Sequence, residues 1–213
     1  MKSKKSIYNL ALSAIFIALS SVLSNLKIYN LPLGGSVTFF SMLPIIMLSV
    51  MLGTKWGLGA AFCYSLVQLL QGIVVDGLLG WGLTPVALVG TIFLDYIIPF
   101  TVLGLAGVSG KKNTAHIVIG TVFVLIFRFL CHLLSGAIIF DIWCEWENVW
   151  FYSLCYNGSY MLPELVITVV GAVIIFNLPQ IRKTISTKKI VTSFTKRIQT
   201  LVNQVPLHIS NVK

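Results

Sequence analysis

Ionisable side chains are so scarce in this chain that they punctuate it. Only 10% of its 213 residues are Asp, Glu, Lys or Arg, against roughly a quarter in soluble domains. The uncharged stretches are 6–26, 28–54, 56–75, 77–94 with 96–110, 113–127 with 129–140, and 148–163 with 165–181. Most approach the roughly 20 apolar residues that cross a hydrocarbon core. With 57% hydrophobic residues, the chain carries too much apolar surface for a disordered segment or a water-soluble domain. The pattern predicts an all-α integral membrane protein with six transmembrane helices near 6–25, 38–53, 56–75, 84–108, 114–140 and 149–178. The second is short and holds Pro44, so a tilt or break is expected there.

Direction follows from the basic residues. Lys2, Lys4, Lys5, Lys55, Lys111 and Lys112 fall on the same side as Arg182, Lys183, Lys188, Lys189, Lys196, Arg197 and Lys213 if there are six spans. The opposite loops hold Lys27 against Asp76, Asp141, Glu145 and Glu147. Positive charge collects on the cytoplasmic side, so both termini are expected in the cytoplasm. The net charge of +9 is thereby a property of cytoplasmic loops, and no nucleic-acid partner is expected. The expected organisation is one membrane domain over 1–180 and a basic cytoplasmic tail over 181–213. The tail reads either as a helix lying on anionic lipid or as a loose end. The basic N-terminus followed by an apolar run resembles a signal peptide. The run has the length of a span and lacks a small-x-small cleavage site, so it reads as a retained first helix.

Several chemistries find no support. Cys63, Cys131, Cys144 and Cys155 form no CxxC; all but Cys144 read as small core residues, and no metal or cofactor is expected. Gly107–Lys112 (G-V-S-G-K-K) has the wrong spacing for a phosphate loop, and HExxH and GxSxG are missing. No internal repeat is recognisable, which argues against an inverted-repeat transporter. Six helices with no energy-coupling chemistry could bind a solute but could not pump it using ATP alone.

Three charges remain at mid-depth: Asp95, Arg128 and Glu164. Intramembrane charges are costly and face a partner or a cavity. Arg128 with Glu164 reads as a buried ion pair, because either alone would be uncompensated. Asp95 is left over and suits a cationic or hydrogen-bond-donating ligand. His132, Gly136 and Phe140 follow Arg128 at four-residue spacing, on one face of helix five. Gly136 reads as close helix packing or as room for a flat ligand. The segment Asp141–Tyr160 carries Trp143, Trp146, Trp150, Phe151, Tyr152, Tyr156 and Tyr160. Some must anchor at the interface. With Asp141, Glu145 and Glu147 nearby, they also suit a cationic aromatic ligand, and Asn157 both donates and accepts. Lys27–Ser36 (K-I-Y-N-L-P-L-G-G-S) is an outer lid or an ordinary turn. Ala14 and Ala18 let another helix approach closely, within this chain or outside it.

The motifs L-P-L-G-G-S-V-T at 31–38, F-L-D-Y-I-I-P-F-T-V-L-G-L-A-G at 93–107, H-L-L-S-G at 132–136 and Y-S-L-C-Y-N-G-S-Y-M-L-P-E at 152–164 resemble the thiamine-specific substrate-binding (S) subunit of energy-coupling factor (ECF) transporters. The resemblance covers most of 6–180. It implies a six-helix cell-membrane protein, not an enzyme, that binds thiamine from outside and joins a transmembrane coupling subunit and two ATPases. It also implies inward release by toppling in the bilayer. Carried over by position, His132, Gly136, Tyr152 and Asn157 line the thiamine pocket, with Asp95 and Tyr96 beside them. Tyr64, Phe140 and one of Trp143 or Trp146 supply aromatic walls. The family has glutamate where this chain has Asp95, and tryptophan where it has Phe140. The Ala14–Ala18 face matches the small-residue motif that docks on the coupling subunit. Alternatives are a sister subunit for riboflavin or a pyridoxine-like vitamin, and an intramembrane enzyme using Asp95 and His132 as an acid–base pair.

Overall fold

A computed structural model describes residues 2–109 and 113–183. The lysines at 111 and 112, and the expected tail from 184 onward, lie outside the described residues. Among the described residues, five helices are long and apolar enough to cross a membrane. They are α1 (Lys2–Asn25), α3 (Thr54–Val74), the composite α4 (Pro85–Ser109), α5 (Thr114–Ile138) and α6 (Val149–Asn177). The sixth apolar element, α2, spans Leu43–Leu52. At 1.5 Å per residue it rises about 15 Å, half a hydrocarbon core.

Helix two was expected from residue 38 and begins at Leu43 instead. Residues 36–38 are taken by a strand. Lys27–Asn30 (β1) and Ser36–Thr38 (β2) pair antiparallel, with Lys27 opposite Thr38 and Asn30 opposite Ser36. The outer segment 27–36 is thus a hairpin, its tip a 3-10 turn over Pro32–Gly34, with Gly34 at φ +87. Pro44 falls in the first turn of α2, where no backbone N–H is needed. Leu43, Ile45, Ile46, Leu48 and Val50 are enclosed by protein, so a half-length helix is tolerated at membrane depth.

The helices meet through small residues. Gly53, at φ +93, alone separates α2 from α3. A Cβ on Gly57 of α3 would strike Ser49 of α2 and the Gly104 carbonyl. Ser49 Oγ donates to that carbonyl at 2.5 Å and accepts from Gly107 N–H at 3.0 Å. Around this contact lies the main core, including Met42, Ile45, Ile46, Tyr64, Leu103, Val124 and Leu125. The outward faces are apolar, with Leu10, Ile15, Leu19 and Val22 on α1 exposed. Cys63 and Cys155 lie on such outward faces, and only Cys131 is buried. The expectation of core cysteines therefore holds for one of three; a small apolar side chain suits lipid as well as protein.

The span expected as one helix over 84–108 changes pitch three times. It is α-helical over Pro85–Thr91, π-helical over Ile92–Ile97, α-helical again over Ile98–Thr101 and 3-10 over Val102–Ser109. Pro99 explains the wide turn. It lacks the N–H that would bond to the Asp95 carbonyl, and its ring crowds that carbonyl. The ladder opens to i→i−5, as in Ile98 N–H to Phe93 O.

Contacts divide the chain into Met1–Ile174 and Ile175–Lys213. The first unit holds everything described below. In the second, the Leu178 carbonyl accepts from Arg182 N–H at 3.0 Å.

Candidate functional site: a cavity between the helices and the hairpin

The π turn turns Asp95 toward α5. His132 Nδ1 lies 2.9 Å from Asp95 Oδ1, and Ser135 Oγ donates to Oδ2. Asp95 was expected without a partner and has two. Ser135 is one helical turn from His132, so one face of α5 serves both oxygens. Because a carboxylate only accepts, Nδ1 carries a proton, and in the neutral ring Nε2 is then the acceptor. Nε2 is buried with no hydrogen-bond partner among the described residues. Asp95, Tyr96 and His132 all line one cavity.

Aromatic rings enclose that cavity on one side. Phe140, at the end of α5, meets Trp81 at 6.0 Å between centroids. Tyr152 stacks on Tyr156 at 6.2 Å and 25°, and Tyr156 meets Tyr160 edge-on. All five rings line the cavity. Trp143 and Trp146 do not. Trp143 packs behind Phe140 at 5.5 Å, and Trp146 packs edge-on against Tyr152 at 5.6 Å. They support wall residues instead of forming the wall. Tyr64, expected as a wall, is 0% exposed in the core and contacts the lining ring of Phe100 from behind, at 5.6 Å.

Gly136 and Asn157 mark the seam between α5 and α6. A Cβ on Gly136 would collide with Ser153 Oγ and lie 2.9 Å from Asn157 Nδ2. Close packing is thus what this glycine permits. Asn157 Nδ2 donates to the His132 carbonyl at 3.1 Å, and its Oδ1 accepts from Tyr160 at 2.8 Å. Asn157 holds the histidine's helix turn in place while lining the cavity.

One turn from His132, Arg128 Nη1 sits 3.1 Å from Glu164 Oε2. The two are 7% and 3% exposed. Glu164 Oε1 also accepts from Thr38 N–H at 2.8 Å and from Thr38 Oγ1 at 2.5 Å. The guanidinium lies over Phe100, 4.4 Å from the ring centroid. The pair therefore closes one end of the cavity and fastens β2 to α6.

The hairpin covers the cavity from outside. Lys27 Nζ meets Asp76 Oδ1 at 2.6 Å, Tyr156 donates to the Pro32 carbonyl, and a Cβ on Gly35 would touch Tyr156 and Tyr160 at 3.0 Å. The side facing α1 and α3 is polar: Ser24, Gln68 and Gln71 line it. Sequence reasoning passed over these and Trp81. Two amides three residues apart in an otherwise apolar span were the available signal. Ala14 and Ala18 are exposed on α1, away from this cavity.

A family model described as Thiamine transporter protein (Thia_YuaJ) matches residues 10–185. The chain belongs to that family. The thiamine transporter ThiT of Bacillus subtilis (strain 168) is 30% identical over 191 residues, covering 83% of this chain and 94% of that one. The fold is that of a solved structure of ThiT from Listeria monocytogenes, with a TM-score of 0.67 at 18% identity over 85% of this chain and 98% of that chain. These relatives are named as transporters. With its five long apolar helices, this family member is a multi-pass protein of the cell membrane. Its cavity holds no group of three or more His, Cys, Asp or Glu suited to a metal among the described residues.

Proposed function

We propose that this chain is the high-affinity thiamine-binding subunit of an ECF-type importer. Separate coupling and ATPase subunits energise it, and it performs no catalysis itself. The observation that carries the reading is the cavity that sets Asp95 and His132 against the rings of Trp81, Phe140, Tyr152 and Tyr156. Thiamine offers a cationic thiazolium, a flat aminopyrimidine and a hydroxyethyl arm. Asp95 supplies the counter-charge. The rings supply stacking and cation–π attraction. His132 Nε2, left as an acceptor, suits an amino group. Asp95, Tyr96, His132, Gly136, Phe140, Tyr152 and Asn157 form the site, with Trp143, Trp146 and Tyr64 behind its walls. The 2.9 Å Asp95–His132 contact would also suit acid–base chemistry. Here Ser135 holds the second carboxylate oxygen and Asn157 holds the His132 backbone carbonyl, a fixed arrangement that suits binding better than proton shuttling.

Titration of thiamine into purified protein is expected to give saturable one-to-one binding. Binding of riboflavin or pyridoxine with thiamine ignored would instead make the chain a sister subunit. Tryptophan fluorescence should fall as thiamine binds. Trp81→Phe should remove most of that quench while Trp143→Phe retains it, because only Trp81 borders the cavity. The reverse result would move the ligand toward the 141–146 segment.

Ala14 and Ala18 are read as the docking face for the coupling subunit. Both point outward, and alanines one turn apart leave a shallow groove for another helix. Replacing both with tryptophan should leave thiamine affinity at the parental value and abolish uptake by cells. Normal uptake would return the pair to a lipid-facing role.

A further inference from the structure

The α3 wall of the cavity carries a polar cluster that the charge and stacking contacts leave unused. Gln71 Oε1 accepts from Gln68 Nε2 at 2.9 Å, and Gln71 Nε2 donates to the Ser21 carbonyl of α1 at 3.2 Å. Ser24 Oγ, also on α1, lies 2.9 Å from Gln71 Oε1. The Gln71 amide is therefore oriented from two sides and ties α1 to α3. Gln68 spends one N–H on it. Its acyl oxygen accepts no hydrogen bond from the described residues, and Gln68 lines the cavity.

Tyr96 brings this cluster next to Asp95. Its hydroxyl rests against Gly72, the neighbour of Gln71, where any Cβ would collide with the ring. The α4 segment bearing the carboxylate is thereby packed on the turn of α3 that carries the amides. No net charge belongs to the cluster. Asp76, further along, is already paired with Lys27 at 2.6 Å.

We propose that Gln68, oriented by Gln71 and Ser24, is a subsite for a neutral hydroxyl group on the ligand. This rests on the thiamine reading, in which the hydroxyl is that of the hydroxyethyl arm. A hydroxyl donates one hydrogen and accepts others; a primary amide with a free acyl oxygen and a second N–H matches both. The arm branches from the thiazolium, the ring that Asp95 attracts, so it falls on the Asp95–Tyr96 side of the cavity. Gln71 is a positioning residue here, and Gln68 makes the contact.

The test compares thiamine with an analogue carrying ethyl in place of hydroxyethyl, titrated into parent and Gln68→Met protein. Parent protein should prefer thiamine by about threefold to tenfold, the range of a neutral hydrogen bond. In Gln68→Met the preference should fall close to one, with the analogue bound about as well as by the parent. The ratio of two ligands on one protein cancels any loss of folded material, so a destabilised variant still decides the matter. A parent without preference, or a variant that keeps the parental preference, would overturn the subsite. A parent that binds neither compound would instead overturn the thiamine reading, and the subsite with it.

Discussion

Asp95→Asn is expected to weaken thiamine binding by about tenfold to hundredfold while the protein stays folded. The substitution keeps the shape of the side chain and removes its charge. A hydrogen bond or close contact to a charged group contributes about 1.5–3 kcal/mol, and each 1.4 kcal/mol is a factor of ten in affinity. Two effects act together. The counter-charge for the thiazolium is lost, in a setting screened far less than bulk water. The neutral amide can also turn its NH₂ toward His132 Nδ1, which shifts the ring proton to Nε2 and converts that acceptor into a donor. Asp95→Glu separates the two effects from simple misfit, because it restores the charge on a side chain one methylene longer. It should recover most of the affinity. Calorimetric titration of the three proteins measures this directly. An unchanged affinity in Asp95→Asn would remove the carboxylate from ligand recognition and leave it as a mooring between α4 and α5.

The span pattern was legible because hydrophobic length is a one-dimensional property. A bilayer imposes it on each helix separately, so 6–25, 56–75 and 114–140 could be located within a few residues. The mid-depth coincidence of Arg128 and Glu164 was legible for the same reason, since depth follows from position along a span. The hairpin was not. Lys27–Asn30 and Ser36–Thr38 are too short to carry a periodic pattern, and their pairing depends on Thr38 reaching Glu164 on α6. The π turn at Asp95 was written in Pro99, four residues on, but a proline signals only that the helix must change there. Which aromatic rings face the cavity was the least legible feature. Trp81, Trp143 and Trp146 all sit near span ends, where interfacial anchoring and ligand contact have the same sequence appearance. Only the packing of Trp81 on Phe140, and of Trp146 behind Tyr152, separates them. Tyr64 and Gln68, one turn apart, share a face of α3, but that face meets the core at the depth of Tyr64 and the cavity at the depth of Gln68, and a sequence does not show where along a helix a cavity begins.

Removing one member of the Arg128–Glu164 pair should be the most destabilising single change in this protein, and the two members should not be equivalent. Breaking a buried pair costs about 3–5 kcal/mol because it strands the remaining charge. After Arg128→Met, Glu164 keeps two donors, Thr38 N–H and Thr38 Oγ1, so its charge remains partly compensated. After Glu164→Leu, Arg128 is left with the Met42 sulfur and the Phe100 ring, and the Thr38 N–H loses its acceptor as well. Glu164→Leu should therefore melt at the lower temperature in detergent. The consequences should also differ in place. Glu164 holds β2 against α6, so its loss should speed hydrogen exchange in 27–38, whereas Arg128→Met should leave the hairpin protected. In the double variant no charge is stranded, and its melting temperature should lie above that of Glu164→Leu despite carrying one more substitution. Single variants that melt like the parent would show that the 3.1 Å contact contributes nothing to stability. A double variant less stable than either single one would show that each charge has a separate partner, and Arg128 would then be better read as facing the ligand.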